Sequence, residues 1–152
     1  MLPIRSAPPP GGPGPRPLAG RVLVVDDERA VRLLFERILL MEGFDVIVAS
    51  SGADGLRLLG NDPKIALILL DLDMPGIDGR RFRSAQCSDA RLAGIPTVVV
   101  TGTVVTSELR TELHATEYLR KPVVRADFIG VVERYCQRMG DTPLPEWHSD
   151  NA

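Results

Sequence analysis

Val22-Leu23-Val24-Val25-Asp26-Asp27 and Ile65-Ala66-Leu67-Ile68-Leu69-Leu70-Asp71 are apolar runs that each end on carboxylates, and two later runs end on Thr101 and Lys121. Short, continuously apolar runs of this kind are strands buried on both faces, the habit of a parallel sheet. In an open parallel sheet the residues just past the carboxyl ends of the strands converge on one edge, where such folds place ligands. Asp26, Asp27 and Asp71 are therefore expected to meet. Three ionised carboxylates a few ångströms apart repel unless a proton or a cation stands between them. A hard, oxygen-seeking divalent ion such as Mg²⁺ is the natural guest.

Working outward from these runs, strand and helix periods alternate from residue 21 to about 139. After the first strand, Val31, Leu34, Phe35, Ile38 and Leu39 recur at the spacing of one helix face that ends near Gly43. Val46–Ala49 reads as a second strand and Ala53–Leu59 as a short helix with Leu56 and Leu59 inward. Asn61-Asp62-Pro63 then turns the chain into the third strand. Gly79–Ala85 is a weak helix, marked only by Phe82 and Ala85, with Arg83 and Gln86 where apolar side chains would be expected. Pro96–Val100 is the fourth strand, and Thr106 or Ser107 can cap a short helix carrying Leu109 and Leu113. Thr116–Arg120 is the fifth strand, and Val124, Phe128, Val131, Val132, Tyr135 and Met139 stripe a last helix. The expected fold is α/β: (βα)5, a doubly wound, flavodoxin-like parallel sheet of five strands with right-handed crossovers.

Composition bounds the rest. The 152 residues suffice for one domain with one core. Residues 1–20 are rich in proline and glycine, which removes backbone donors and supplies almost nothing to bury, and they are expected to form a disordered arm. Residues 140–152 are expected to be a flexible tail, with Trp147 the side chain in it able to dock on a groove or a partner. No apolar run approaches a membrane span, and no basic stripe suits DNA, so neither membrane insertion nor direct DNA binding is expected. Cys87 and Cys136 are isolated, which fits reduced thiols in a cytoplasmic protein. His114 and His148 have no metal-type partner in sequence. Among 18 basic residues only Lys64 and Lys121 are lysines, so Lys121 marks a place that wants a compact point charge where arginine would serve elsewhere.

Four segments together carry a resemblance: Val-Val-Asp-Asp-Glu at 24–28, Leu-Leu-Asp-Leu-Asp-Met-Pro-Gly-Ile-Asp-Gly at 69–79, Val-Thr-Gly at 100–102 and Tyr-Leu-Arg-Lys-Pro at 118–122. Over residues 21–139 the chain resembles the receiver domain of two-component response regulators, of the stand-alone kind. The resemblance implies that Asp71 accepts a phosphoryl group from a sensor histidine kinase or a histidine phosphotransfer protein. It implies that Mg²⁺ is held by Asp26, Asp27, Asp71 and the backbone carbonyl of Asp73. It further implies a cis peptide before Pro122, room for the phosphate beside Gly102, and signalling to a downstream protein that the sequence does not identify.

Each position has its own physical argument. An ionised carboxylate at Asp71 can attack phosphorus and form a reactive mixed anhydride suited to a reversible signal. Thr101 can donate its hydroxyl to one phosphoryl oxygen and Lys121 can pair with another, so catalysis would be positioning plus electrostatics. Pro75 and Gly76 permit a tight turn after Asp71, and Asp27 can cap the first helix. In receivers the hydroxyl at the Thr101 position moves toward phosphate and an aromatic at the Tyr118 position turns inward, which implies coupling to the face of the fourth helix, fifth strand and fifth helix. The segment between Thr101 and Lys121 is slightly shorter than is usual in that family, and His114 stands where a glycine commonly precedes the fifth strand, so the fourth helix is expected to be short or shifted.

Two other functions compete. Asp71-Leu72-Asp73 is similar to the nucleophile motif of haloacid-dehalogenase-type phosphatases, but the acidic pair here precedes the nucleophile and no cap domain is available. A receiver-shaped module that binds partners without phosphorylation is disfavoured by the complete set of site residues.

Overall fold

The computed structural model describes residues 20–139, apart from 75 and 77. The Pro/Gly-rich arm up to residue 19, the tail with Trp147, and Pro75 lie outside the described residues.

Ten elements alternate: β1 (Arg21–Val25), α1 (Arg29–Met41), β2 (Asp45–Ala49), α2 (Gly52–Asn61), β3 (Ile65–Asp71), α3 (Gly79–Ser88), β4 (Thr97–Thr101), α4 (Ser107–Leu113), β5 (Glu117–Arg120) and α5 (Arg125–Tyr135). The strands form one sheet in the order β2-β1-β3-β4-β5, and every neighbouring pair is parallel. This is the doubly wound α/β fold that the alternating periods predict. Chain direction across the sheet reverses between β1 and β3, the place where such sheets open a crevice at their carboxyl edge.

The two-residue period of the strands divides the core in two. Val22, Val24, Leu67, Leu69, Val98 and Val100 point to the side covered by Phe35 and Leu39 of α1 and Phe128, Val131 and Val132 of α5. Phe35 and Phe128 stack with ring centroids 4.7 Å apart and tie the two helices together. Leu23, Val25, Ile68 and Leu70 face the other side with Leu59 and Phe82, and Leu109 and Leu113 of α4 cover Val99 and Leu72 beside them. Gly55 lets α2 approach closely: a Cβ there would lie 2.9 Å from a methyl of Val25 and 3.0 Å from the Phe82 ring.

Four local expectations are corrected. Leu34 lies on the outward side of α1, 55% exposed, because this helix carries apolar residues on both sides and the spacing alone could not separate them. Glu28, not Asp27, occupies the N-cap of α1 and makes no side-chain cap. Helix α3 runs on to Ser88, Ala85 is exposed, and Arg83 and Gln86 are buried in its place. Val124 and Met139 are not part of the α5 stripe: Val124 is the exposed N-cap, and the helix stops at Tyr135 with Met139 exposed beyond it. Helix α4 is short, as expected, and Thr106 caps it by accepting from the Leu109 amide. No helix among the described residues is long and apolar enough to cross a membrane.

Candidate functional site

The register of β1 on β3 sets Val25 beside Leu70, so the residues that follow, Asp26 and Asp71, are neighbours at the carboxyl edge. Asp26 and Asp71 are buried and Asp27 is exposed, and each offers a carboxylate oxygen within 4.8 Å of the other two. The Asp26 carboxylate is oriented from its own chain, where Oδ1 accepts from the Glu28 amide at 2.9 Å. Arg32, one turn into α1, donates to the carbonyls of Asp26 at 2.9 Å and Asp27 at 3.3 Å, holding the β1–α1 turn by its backbone.

Lys121 brings the opposing charge from the end of β5. Its backbone amide donates to the Thr101 carbonyl at 2.8 Å, extending the β4–β5 pairing by a residue. Its ammonium then reaches Asp26 Oδ2 at 3.0 Å and Asp71 Oδ1 at 3.4 Å. The Lys121–Pro122 peptide is cis. Asp71 Oδ1 also accepts from the Asp73 amide at 3.4 Å.

Burial pushes the Asp71 carboxyl up to about 6, with the Asp26 charge adding to the rise and Lys121 and the Asp73 amide opposing it. For Lys121, burial works against the charge, but the hydrogen bond to Asp26 and the charges of both carboxylates outweigh it and hold the ammonium above its ordinary range. Perturbed proton affinities on charged groups that face one another at a sheet edge are typical of functional sites. Three carboxylates against one ammonium leave the edge short of positive charge, and the all-oxygen donor set suits a hard divalent cation. The residues present therefore fit Mg²⁺.

The remaining predicted residues surround this centre. Thr101 is fully buried at the end of β4. Its hydroxyl lies 2.9 Å from that of Thr103, accepts from the Thr103 amide at 3.1 Å and reaches Asp73 Oδ2 at 3.5 Å. Gly102 borders open space, since a Cβ there would meet nothing within 4 Å. Gly76, in the β3–α3 turn, has a positive φ of 75° that favours glycine. Tyr118 stands apart from the carboxylates: its hydroxyl accepts from the Ala115 amide at 3.1 Å, and the Arg110 guanidinium lies 4.6 Å from its ring centroid.

Arg32 and Thr103 contribute to the site without having been singled out in the sequence. A polar side chain one turn into the helix after Asp27 and a second hydroxyl in Thr-Gly-Thr were the signals available for them.

Residues 22–133 match the family model of the response regulator receiver domain. The chain is 32% identical over 123 residues to the two-component response regulator ORR5 of Oryza sativa subsp. japonica, a match covering 80% of this chain and 89% of that one. It is 34% identical over 120 residues to the transcriptional regulatory protein CpxR of Escherichia coli (strain K12), covering 78% of this chain and spanning 50% of that relative's length. Among solved structures, a response regulator receiver protein from Pseudomonas putida superposes with a TM-score of 0.71 at 25% identity, covering 76% of this chain and 97% of that one.

Proposed function

Because the chain belongs to the response regulator receiver domain family, we propose that it accepts a phosphoryl group on Asp71 from a sensor histidine kinase or a histidine phosphotransfer protein. The observation that carries this reading is the Lys121 ammonium bridging Asp26 and Asp71 at a carboxylate-lined sheet edge. In the proposed step an Asp71 carboxylate oxygen attacks phosphorus, the bond from phosphorus to the donor histidine nitrogen breaks, and its electron pair stays with the imidazole. Asp71 is left as an acyl phosphate.

Asp26, Asp27, Asp71 and the Asp73 carbonyl are the groups proposed to hold Mg²⁺, which when bound neutralises the carboxylates and the incoming phosphoryl oxygens. Lys121 gives up its contact with Asp71 to pair with a phosphoryl oxygen, and the neighbouring Asp26 keeps its charge in place. Thr101 exchanges its partners Thr103 and Asp73 for another phosphoryl oxygen. Gly102 leaves the space for that exchange. Turning the Thr101 hydroxyl frees the loop before α4, and Tyr118 is the side chain proposed to respond. The downstream partner would then read the face made by α4, β5 and α5.

Intact-protein mass after incubation with acetyl phosphate, with and without Mg²⁺, tests this. A single Mg²⁺-dependent phosphoryl adduct is expected in the native chain, with none in Asp71→Asn. An adduct retained by the variant would contradict Asp71 as acceptor. No adduct in the native chain, even with a histidine kinase as donor, would favour a partner-binding module that works without phosphorylation.

A further inference from the structure

Helices α3 and α4 part to leave a groove of about 540 Å³, within the size range of small-molecule sites. Residues 80, 83, 84 and 87 stand three and four apart on α3 and so present one face to it, while residues 112–114 at the end of α4 form the opposite wall. None of the residues at the carboxylate edge lines this groove, and its charge has the opposite sign. Arg80, Arg81 and Arg83 stand against a single carboxylate, Glu112, which pairs with Arg80 at 3.1 Å.

Arg83 is the unusual member. A buried charge is ordinarily matched by an opposite one. Arg83 is 8% exposed, yet it donates to the carbonyls of Leu113 and His114, to Gln86 and to Thr97, all of them neutral. The two carbonyls stand at the end of a two-turn helix, and a helix dipole offsets at most about half a unit charge. Arg81 is exposed beside it, and its guanidinium has no hydrogen bond or ion pair among the described residues. The groove therefore holds positive charge in excess, part of it fixed in place by the bonds of Arg83.

We propose that this groove binds a small organic phosphate, with the phosphoryl oxygens on Arg81 and beside the Arg83 charge and the carbon portion against Leu113 and Cys87. Guanidinium forks match phosphate oxygens in geometry as well as charge. The groove is far larger than a phosphate ion, and its floor at Leu113 is apolar, so the fitting ligand has an organic part. A ligand seated there touches both α3 and α4 and braces their contact. Glu112 weakens the site through its charge and sets a limit on its affinity.

This binding does not rest on phosphoryl transfer to Asp71, and it can be read in a chelator, where no cation is present to draw phosphate to the carboxylate edge. The measurement is a proton–nitrogen correlation NMR titration of the full chain with adenosine monophosphate, ribose phosphate and, as the uncharged comparison, adenosine. Saturable shifts are expected in the amides of residues 80–88 and 112–114 with at least one of the two phosphates, and none with adenosine. Arg81→Glu changes an exposed side chain and is expected to weaken the binding about tenfold with the fold intact. Glu112→Gln is expected to strengthen it. The proposal is overturned if neither phosphate shifts these amides, if the shifts fall instead on residues 71–73 and 101–103, if adenosine produces them equally, or if Arg81→Glu binds as the native chain does.

Discussion

Strand β4 carries a fully buried threonine at each end, and the two are treated in opposite ways. At the amino end, Thr97 joins Arg83 and Gln86 of α3 in a closed network. The Arg83 guanidinium donates to the Leu113 carbonyl at 2.9 Å, the His114 carbonyl at 2.7 Å and Gln86 Oε1 at 2.9 Å, and the Gln86 amide donates to the carbonyls of Leu92 and Ile95. Its acceptors are neutral, and four of these five hydrogen bonds run to backbone at the end of α4 or in the loop before β4. At the carboxyl end, Thr101 bonds Thr103 and Asp73 at the edge where the carboxylates of Asp26, Asp27 and Asp71 converge, two of them on the single Lys121 ammonium. A buried polar group whose bonds are complete fixes its surroundings, whereas one left with excess charge is ready to exchange partners. The α3–α4 contact at the amino end is therefore the anchor, and the carboxyl edge is the part poised to change.

The largest effect should come from breaking the anchor. Arg83→Met keeps the bulk but leaves buried carbonyls without donors, and urea unfolding is expected to lose about 2–4 kcal/mol. A loss below about 1 kcal/mol would mean the network is not holding α4. Next comes the strain at the other end. Asp71 has a folded value of about 6 against an ordinary 3.8, so the metal-free fold holds this proton more tightly than the unfolded chain does. That contribution is complete below about pH 4 and is lost as pH rises through 6, a decline of roughly 3 kcal/mol at most. Urea unfolding in a chelator from pH 4 to 7 should show the decline, and Asp71→Asn should flatten it. Lys121→Ala should cost the metal-free protein about 1–2 kcal/mol at neutral pH, because it leaves Asp26 and Asp71 uncompensated. Mg²⁺ should restore much of that loss and none of the loss in Arg83→Met. The smallest expected effect is on the native chain, which should gain about 1.4 kcal/mol from Mg²⁺ at tenfold excess over its dissociation constant. A stability unmoved by Mg²⁺ would erase the contrast between the two ends.

The strands, their parallel arrangement and the convergence of Asp26, Asp27 and Asp71 were readable because each depends on a local pattern, an uninterrupted apolar run with a charged residue at its carboxyl end, while Lys121 was readable from the scarcity of lysine and its place before Pro122. The anchor was not. Arg83 and Gln86 looked like departures from a helix face, since their burial is made possible by carbonyls of residues 92, 95, 113 and 114, which no local spacing announces. Leu34 was misplaced for a related reason: with leucines on both sides of α1, periodicity has no contrast to report. Met139 continued the apolar period of α5, but the chain there had already left the helix to bond with Gly43. Tyr118 was located at the right strand, yet its engagement with Ala115 and Arg110 depends on how α4 ends, at His114 in the left-handed conformation with φ of 48°.

Arg32 holds the turn after β1 by its carbonyls, and with Asp26 Oδ1 kept on the Glu28 amide, Asp26 Oδ2 and the Asp27 carboxylate are left to other partners. The frame and the working groups of that turn are thus secured separately. On the proposed function, side-chain torsions would follow an ion or a phosphoryl group as it arrives or departs while the main chain stays where it is, so little would have to be rebuilt between one signal and the next. A turn fastened through all of its carboxylate oxygens instead would have to come undone each time it was used.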